Sequence, residues 1–226
     1  MQQTSRPDQV FDRLVAAILD GRYAPGDRLP SQRALAAEFG VNMASLRAAV
    51  DRLAQLRLVE VRHGEPMRVA DWRRAGGVEL LARAAGTEPA LLVAMFEARA
   101  ILLREAARLA ASRATGEQRD ELARLAAAFG DAGTREARQQ IDLAFMAALI
   151  DAAGNLVFTL ILNSIRESYL AQADTYAGLV ASAADLAPAY RGVAAAVGAA
   201  DGDAAASGID ELCALQVRGM LEGGGA

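Results

Sequence analysis

Apolar residues recur at three- and four-residue steps through most of the chain, and the pattern turns strand-like over only one short interval. Val10, Leu14, Ala17 and Ile18 share one face of a helix predicted from Pro7 to about Asp20, which Gly21 ends. Tyr23-Ala24-Pro25-Gly26-Asp27 is a turn, because proline presets φ and glycine relaxes it. Ser31 is placed to cap a short helix reaching Phe39, and Gly40-Val41-Asn42 turns the chain into a longer helix over about Met43–Leu56. There Leu46, Val50 and Leu53 face inward, which leaves Ser45 and Arg47 pointing outward. Two β-rich runs follow, Leu58–Arg62 and Met67–Ala70, joined by His63-Gly64-Glu65-Pro66. Helix, tight turn, helix and hairpin make the outline of a winged helix-turn-helix, a module whose second helix enters the major groove of duplex DNA.

The character of the chain changes after Ala70. Asp71-Trp72-Arg73-Arg74-Ala75-Gly76-Gly77 is polar and carries a glycine pair, which predicts a linker and two domains, 1–72 and 73–226. From Val78 onward every periodic stretch is helical. The expected helices cover about Val78–Ala85, Pro89–Arg113, a segment to Phe129 opened by the capping-box sequence Thr115-Gly116-Glu117-Gln118, and a segment to Ala152 opened by Thr134. Leu156–Ala173, Leu186–Ala199 and Asp203–Leu221 complete the series. The expected fold is therefore mainly α: an N-terminal winged helix-turn-helix followed by an all-α antiparallel helical bundle of six or seven helices.

Charge sharpens this division. The net charge is −4, yet residues 1–75 carry 12 arginines against 9 acids, +3, and residues 76–226 carry 12 against 19, −7. A positive end joined to an acidic body suits a DNA-reading module with an attached domain that stays off the phosphates. All 24 basic residues are arginine, and the lone cysteine, Cys213, excludes an intramolecular disulfide and fits a reducing cytoplasm. No apolar run reaches the roughly 18 residues of a membrane span. With one histidine, no nucleophile elbow, no glycine-rich phosphate loop and no clustered metal ligands, the chain is not expected to be an enzyme.

The segment Tyr23-x-Pro25-Gly26-Asp27-x-Leu29-Pro30-Ser31-x-Arg33-x-Leu35-Ala36, with Leu46-Arg47-Ala48-Ala49-Val50, resembles the N-terminal signature of the GntR family of bacterial transcription regulators. Glu97-Ala98-Arg99, Arg108-Leu109-Ala110-Ala111 and Asp142-x-x-Phe145 with Ala153-Gly154-Asn155 resemble the helical effector domain of its FadR subfamily. His63-Gly64-Glu65-Pro66, Leu160-Ile161-Leu162-Asn163 and Tyr169 resemble that subfamily's fatty-acid-responsive branch. The resemblance implies a cytoplasmic homodimer on a palindromic double-stranded DNA operator, regulated by a small molecule in the helical domain, an acyl-CoA, a lipid or another organic acid. It places Arg33, Arg47, Asn42 and Ser45 at the DNA, with His63 and Gly64 at the wing tip. Asn42 reads equally as a helix cap. Relatives carry arginine where this chain has Met43, a hydroxyl residue at Ala44 and glutamate at Ala48, so the operator is expected to differ from theirs.

The subfamily often holds a divalent metal with one aspartate and three histidines. Asp142 matches the aspartate, but the histidine positions fall on Met146, Tyr190 and the neighbourhood of Cys213. One carboxylate and a thioether do not suit Zn²⁺, so neither a metal nor any other cofactor is expected. The resemblance makes Arg99, Asp142, Phe145, Met146, Asn163 and Tyr169, with Phe158, the candidate effector residues, and puts Asp210, Cys213 and Val217 at acyl-CoA-holding positions. Arg99 reads equally as half of an ion pair with Glu97 or Glu105. The other reading of the whole chain is a ligand-independent DNA-binding protein whose helical domain only dimerises.

Overall fold

The structure, a computed structural model, describes residues 6–62, 64–84, 89–171 and 177–223, and the chain divides into two compact units, Met1–Leu91 and Leu92–Ala226. In the first unit, α1 (Arg6–Leu19), α2 (Gln32–Phe39) and α3 (Met43–Gln55) enclose a core of Phe11, Leu14, Leu35, Leu46 and Leu53. Arg52 on α3 pairs with Asp8 on α1 at 2.5 Å and lies over the Phe11 ring at 3.9 Å, so one guanidinium clamps the two helices by charge and by π contact. Ser31 caps α2 through Ala34 N. Gly40 ends it at φ 62°, a left-handed value that costs glycine little and reverses the chain within two residues.

The hairpin is smaller than the sequence predicts. Strands β1 (Val59–Glu60) and β2 (Arg68–Val69) pair antiparallel, Val59 opposite Val69. The turn before α2 adds a third edge: Leu29 N donates to Met67 O at 2.9 Å, and Val69 N donates to Asp27 O at 3.0 Å. At the end of α3, Arg57 takes a positive φ of 55° while Leu58 N reaches back to Leu53 O at 2.9 Å. This closes the helix with a Schellman turn at the base of the wing.

The expected linker is ordered structure of the first unit. Asp71 caps α4 (Trp72–Ala75), and Trp72 is buried in the same core as α1 and α3. A Cβ on Gly76 would stand 2.5 Å from Leu80 Cδ1 and 2.6 Å from Trp72 O, so this glycine serves close packing rather than flexibility. The 3₁₀ turn Val78–Leu80 and α5 (Leu81–Ala84) extend that core through Leu80 and Ala84, and α5 packs on α1. The described residues 73–84, assigned from sequence to the second domain, therefore pack with the first unit. The division between units falls in the first turn of α6 (Pro89–Arg113).

Among its described residues the second unit's regular elements are all helical. It comprises α6, α7 (Gly116–Asp131), α8 (Arg135–Ala152), α9 (Leu156–Ala171), a 3₁₀ turn Ala177–Val180, α10 (Ala183–Gly198) and α11 (Gly202–Gly223). The capping box at Thr115 and Gln118 forms with both reciprocal bonds, 3.2 Å and 3.0 Å. α10 begins three residues before the position read from sequence, because Ser182 caps it through Asp185 N; Pro188 lies inside its second turn. α10 packs between α7 and α11. Ala106, Ala107, Ala110 and Ala111 of α6 are buried in one core with Phe129, Phe145, Tyr190 and Ile209.

Candidate functional site

Each unit presents one constellation. In the first it is the exposed face of α3. Asn42 caps this helix, its side-chain oxygen accepting from Ser45 N at 2.8 Å, so the capping reading of Asn42 is the geometry found. Leu46, Ala49, Val50 and Leu53 are buried, while Ala44, Arg47, Ala48 and Asp51 are exposed. Arg33 on α2 is exposed as well, Ser45 is half-buried, and Met43 packs against the core. Gly64 is exposed at the hairpin tip with a φ of 77°. His63 lies outside the described residues. A planar guanidinium in solvent at the start of a capped helix is the group best suited to a guanine edge or a phosphate.

In the second unit the constellation is a polar cluster inside an apolar core. Asp142 on α8 is 2% exposed, and Tyr190 on α10 and Gln216 on α11 are fully buried. The Tyr190 hydroxyl donates to Asp142 Oδ1, and Gln216 Nε2 donates to the same oxygen at 3.0 Å and to Tyr190 Oη at 3.1 Å. Arg99 on α6 donates to Gln216 Oε1 at 2.7 Å and stands 3.6 Å from Asp142 Oδ1. Four helices thus contribute one polar side chain each, and each group has a partner, as burial demands. The Tyr190 ring stacks on Phe129 with centroids 4.2 Å apart and meets Phe145 edge-on at 5.0 Å.

The structure shows which partners these side chains meet. Arg99 engages Gln216 and Asp142 rather than Glu97 or Glu105; Glu105 pairs instead with Arg108 at 2.8 Å. Asp142 is a network carboxylate, not a surface one. Phe145 and Met146 are buried beside it, and Phe158 is half-buried against the same core. Asn163 is exposed, away from that core, because it falls on the outer face of α9. The Tyr169 side chain lies outside the described residues. Asp210 is exposed and pairs with Arg104 at 3.6 Å, Val217 is half-buried, and Cys213 is buried with Arg99 Nη1 3.7 Å from its sulfur. Burial pushes the Cys213 thiol up from its ordinary range, against the pull of Arg99, so it stays a protonated thiol at neutral pH.

The donors around Asp142 do not fit a metal. A tyrosine hydroxyl and an amide nitrogen already donate to its Oδ1, a guanidinium adds positive charge, and Met146 offers only a thioether. Among the described residues no three His, Cys, Asp or Glu side chains gather as a ligand set. Gln216 was not singled out from sequence. Its signal was a lone amide on the apolar stripe Ile209, Leu212, Cys213, Gln216 of α11, a spacing of three and four residues that places it inward.

Residues 7–69 match the bacterial regulatory proteins, gntR family, and residues 94–224 match the FCD domain. The chain belongs to the gntR family of bacterial regulatory proteins. Among similar proteins, the uncharacterised HTH-type transcriptional regulator Rv0494 of Mycobacterium tuberculosis is 34% identical over 206 residues, 90% of this chain and 84% of its own. The HTH-type regulator Mce2R of the same species is 31% identical over 215 residues, 93% and 90% of the two chains. A fatty acid metabolism regulator protein of Pectobacterium atrosepticum is 27% identical over 161 residues, 70% and 66%. The fold is shared with Lar, which controls the expression of the Listeria monocytogenes agr system: TM-score 0.65 at 17% identity, over 98% of this chain and 99% of that one. The gntR-family chain is thus a transcriptional regulator whose HTH unit carries the exposed α3 face and whose FCD unit carries the buried polar cluster. Its relatives are regulators rather than enzymes. None of its described helices is long and apolar enough to cross a membrane.

Proposed function

We propose that this regulator acts in the cytoplasm as a homodimer on a palindromic operator, and that a small organic acid or acyl-CoA held in the FCD unit alters its affinity for that DNA. The observation that carries the DNA half is the face of α3, where Arg47 stands exposed opposite a fully apolar inner face, with Arg33 exposed on the preceding helix. Arg33, Arg47 and Ser45 contact the duplex, Asn42 orients the first turn of α3 as its cap, and His63 with Gly64 enters the neighbouring groove from the wing. The dimer is supported by Leu156, Val157 and Leu160, exposed together at the start of α9 without an intervening charge.

The effector half rests on an apolar unit with one cationic side chain at its polar cluster, and on the likeness to a fatty acid metabolism regulator. An effector anion reaching Arg99 competes there with Asp142 and Gln216, so binding loosens the tie between α6, α8 and α11. The two DNA-reading units then change their preferred arrangement, and the same coupling makes operator DNA change effector affinity by an equal factor. The mutual satisfaction of Asp142, Tyr190 and Gln216 also suits the second reading, in which the FCD unit only dimerises and the cluster is a structural knot.

Native mass spectrometry of the purified protein, with operator titrations followed by fluorescence anisotropy in the presence and absence of oleoyl-CoA and octanoate, tests these statements. A dimer mass, a retained acyl compound and an altered operator affinity support the sensor reading. Operator affinity indifferent to every ligand tried, with no retained mass, establishes the second reading. The cluster is proposed to work without a metal: EDTA is expected to leave both the melting temperature and operator binding unchanged, and a clear fall in either would contradict it.

A further inference from the structure

We infer that the recognition helix reads thymine methyl groups beside a guanine, through Ala44 and Ala48 flanking Arg47. This rests on the proposed placement of α3 in the major groove. Successive residues of a helix advance about 100° around its axis. Ala44, Arg47, Ala48 and Asp51 therefore fall within one arc of roughly 100°, and all four are exposed. The inner arc, Leu46, Ala49, Val50 and Leu53, is buried. The surface offered to a groove is therefore one guanidinium at the edge of an arc that also carries two bare methyl groups, with a carboxylate one turn further on.

Each part of that surface selects a partner. A guanidinium in the groove matches guanine O6 and N7 with two parallel hydrogen bonds. A methyl side chain has no hydrogen-bonding group to offer a base edge, and the base edge it suits is the C5 methyl of thymine. Setting Ala44 or Ala48 against the amino group of adenine or cytosine would remove water from a polar group without replacing its hydrogen bond, which disfavours those bases. Asp51 marks the limit of the contact. Its carboxylate repels the phosphates, so the helix meets DNA through its first two turns, where Ala44, Arg47 and Ala48 stand. Met43 packs against the core and is not part of this surface.

The test needs no foreknowledge of the operator. The full-length protein is used to select duplexes from a random library, and the enriched half-site is resynthesised with deoxyuridine in place of each thymine in turn, which deletes the methyl group and nothing else. The expected half-site carries a guanine with thymine beside it. Each contacted deoxyuridine is expected to weaken binding roughly fourfold, the worth of one methyl group removed from water. Ala44→Gly and Ala48→Gly are each expected to abolish the sensitivity at one position while guanine dependence persists, so the thymine and alanine methyls couple in a double-mutant cycle. Equal affinity for the thymine and deoxyuridine duplexes overturns the inference, as does a selected half-site with no thymine near its guanine. A library from which nothing is enriched at low salt overturns the DNA-binding reading itself, so the two failures are distinguishable.

Discussion

Tyr190→Ala is expected to lower the stability of the FCD unit by about 3–5 kcal/mol, the range for truncating a fully buried aromatic side chain. Tyr190 stacks on Phe129, abuts Phe145 edge-on and donates its hydroxyl to Asp142, so alanine removes ring packing and a charge-assisted hydrogen bond together. The bundle is all helix around the lost ring and cannot collapse fully into the space, because α7 and α11 are held apart by the rest of α10. Tyr190→Phe separates the two contributions. It keeps the ring and removes only the hydroxyl, leaving a buried carboxylate one donor short, for an expected loss of about 1.5–3 kcal/mol. Urea denaturation followed by circular dichroism measures both. The two units are read as separate transitions where they resolve, since a single midpoint is ill-defined for a chain of two compact bodies. A loss below about 1 kcal/mol for the alanine variant would mean that the cluster is not the keystone of the four helices.

Arg47→Ala is expected to weaken operator binding by about 1–3 kcal/mol, roughly 5- to 150-fold, without affecting the stability of the HTH unit. Arg47 is exposed and makes no contribution to the core beneath it, where Leu46 and Val50 do the packing, so its loss falls on binding alone. Anisotropy titrations over a range of salt concentrations distinguish what it touches. A contact to guanine relaxes sequence preference at one base pair and leaves the salt slope unchanged, whereas a phosphate contact weakens all sequences alike and lowers the slope by about one. Arg47→Lys is expected to rescue a phosphate contact and not a guanine contact, because an ammonium lacks the planar fork. Unchanged operator affinity for Arg47→Ala would remove the residue from the interface.

Much of the fold was legible because it follows from local rules. The caps at Ser31, Asn42, Thr115 and Thr134 sit where their side chains satisfy the first free amides, and each helix starts there. Gly40 takes the left-handed turn that its place between two apolar-periodic segments requires. The segment 71–77 was misread for a physical reason as well. Polar residues and a glycine pair look like a linker in one dimension, but Trp72 is the residue that decides, and a buried indole needs a core that only the folded first unit supplies. The wing shrank to two residue pairs because alternation sets which face is buried, while strand length depends on partners, here including the turn at Asp27 and Leu29.

By itself the sequence determined the order and type of the longer helices and of the hairpin, the separation of a basic reading head from an acidic helical body, and the outward placement of Arg47. These follow from periodicity, capping and charge, which act over a few residues or over whole segments. Only the tertiary structure decided which partners Asp142, Arg99 and Gln216 meet. They lie up to 117 positions apart, and a buried carboxylate takes its role from whichever donors the packing of four helices brings within hydrogen-bond reach. Tertiary structure also decided that the described residues 73–84 complete the first unit, since burial of Trp72 and Leu80 depends on the surface that α1 and α3 present together.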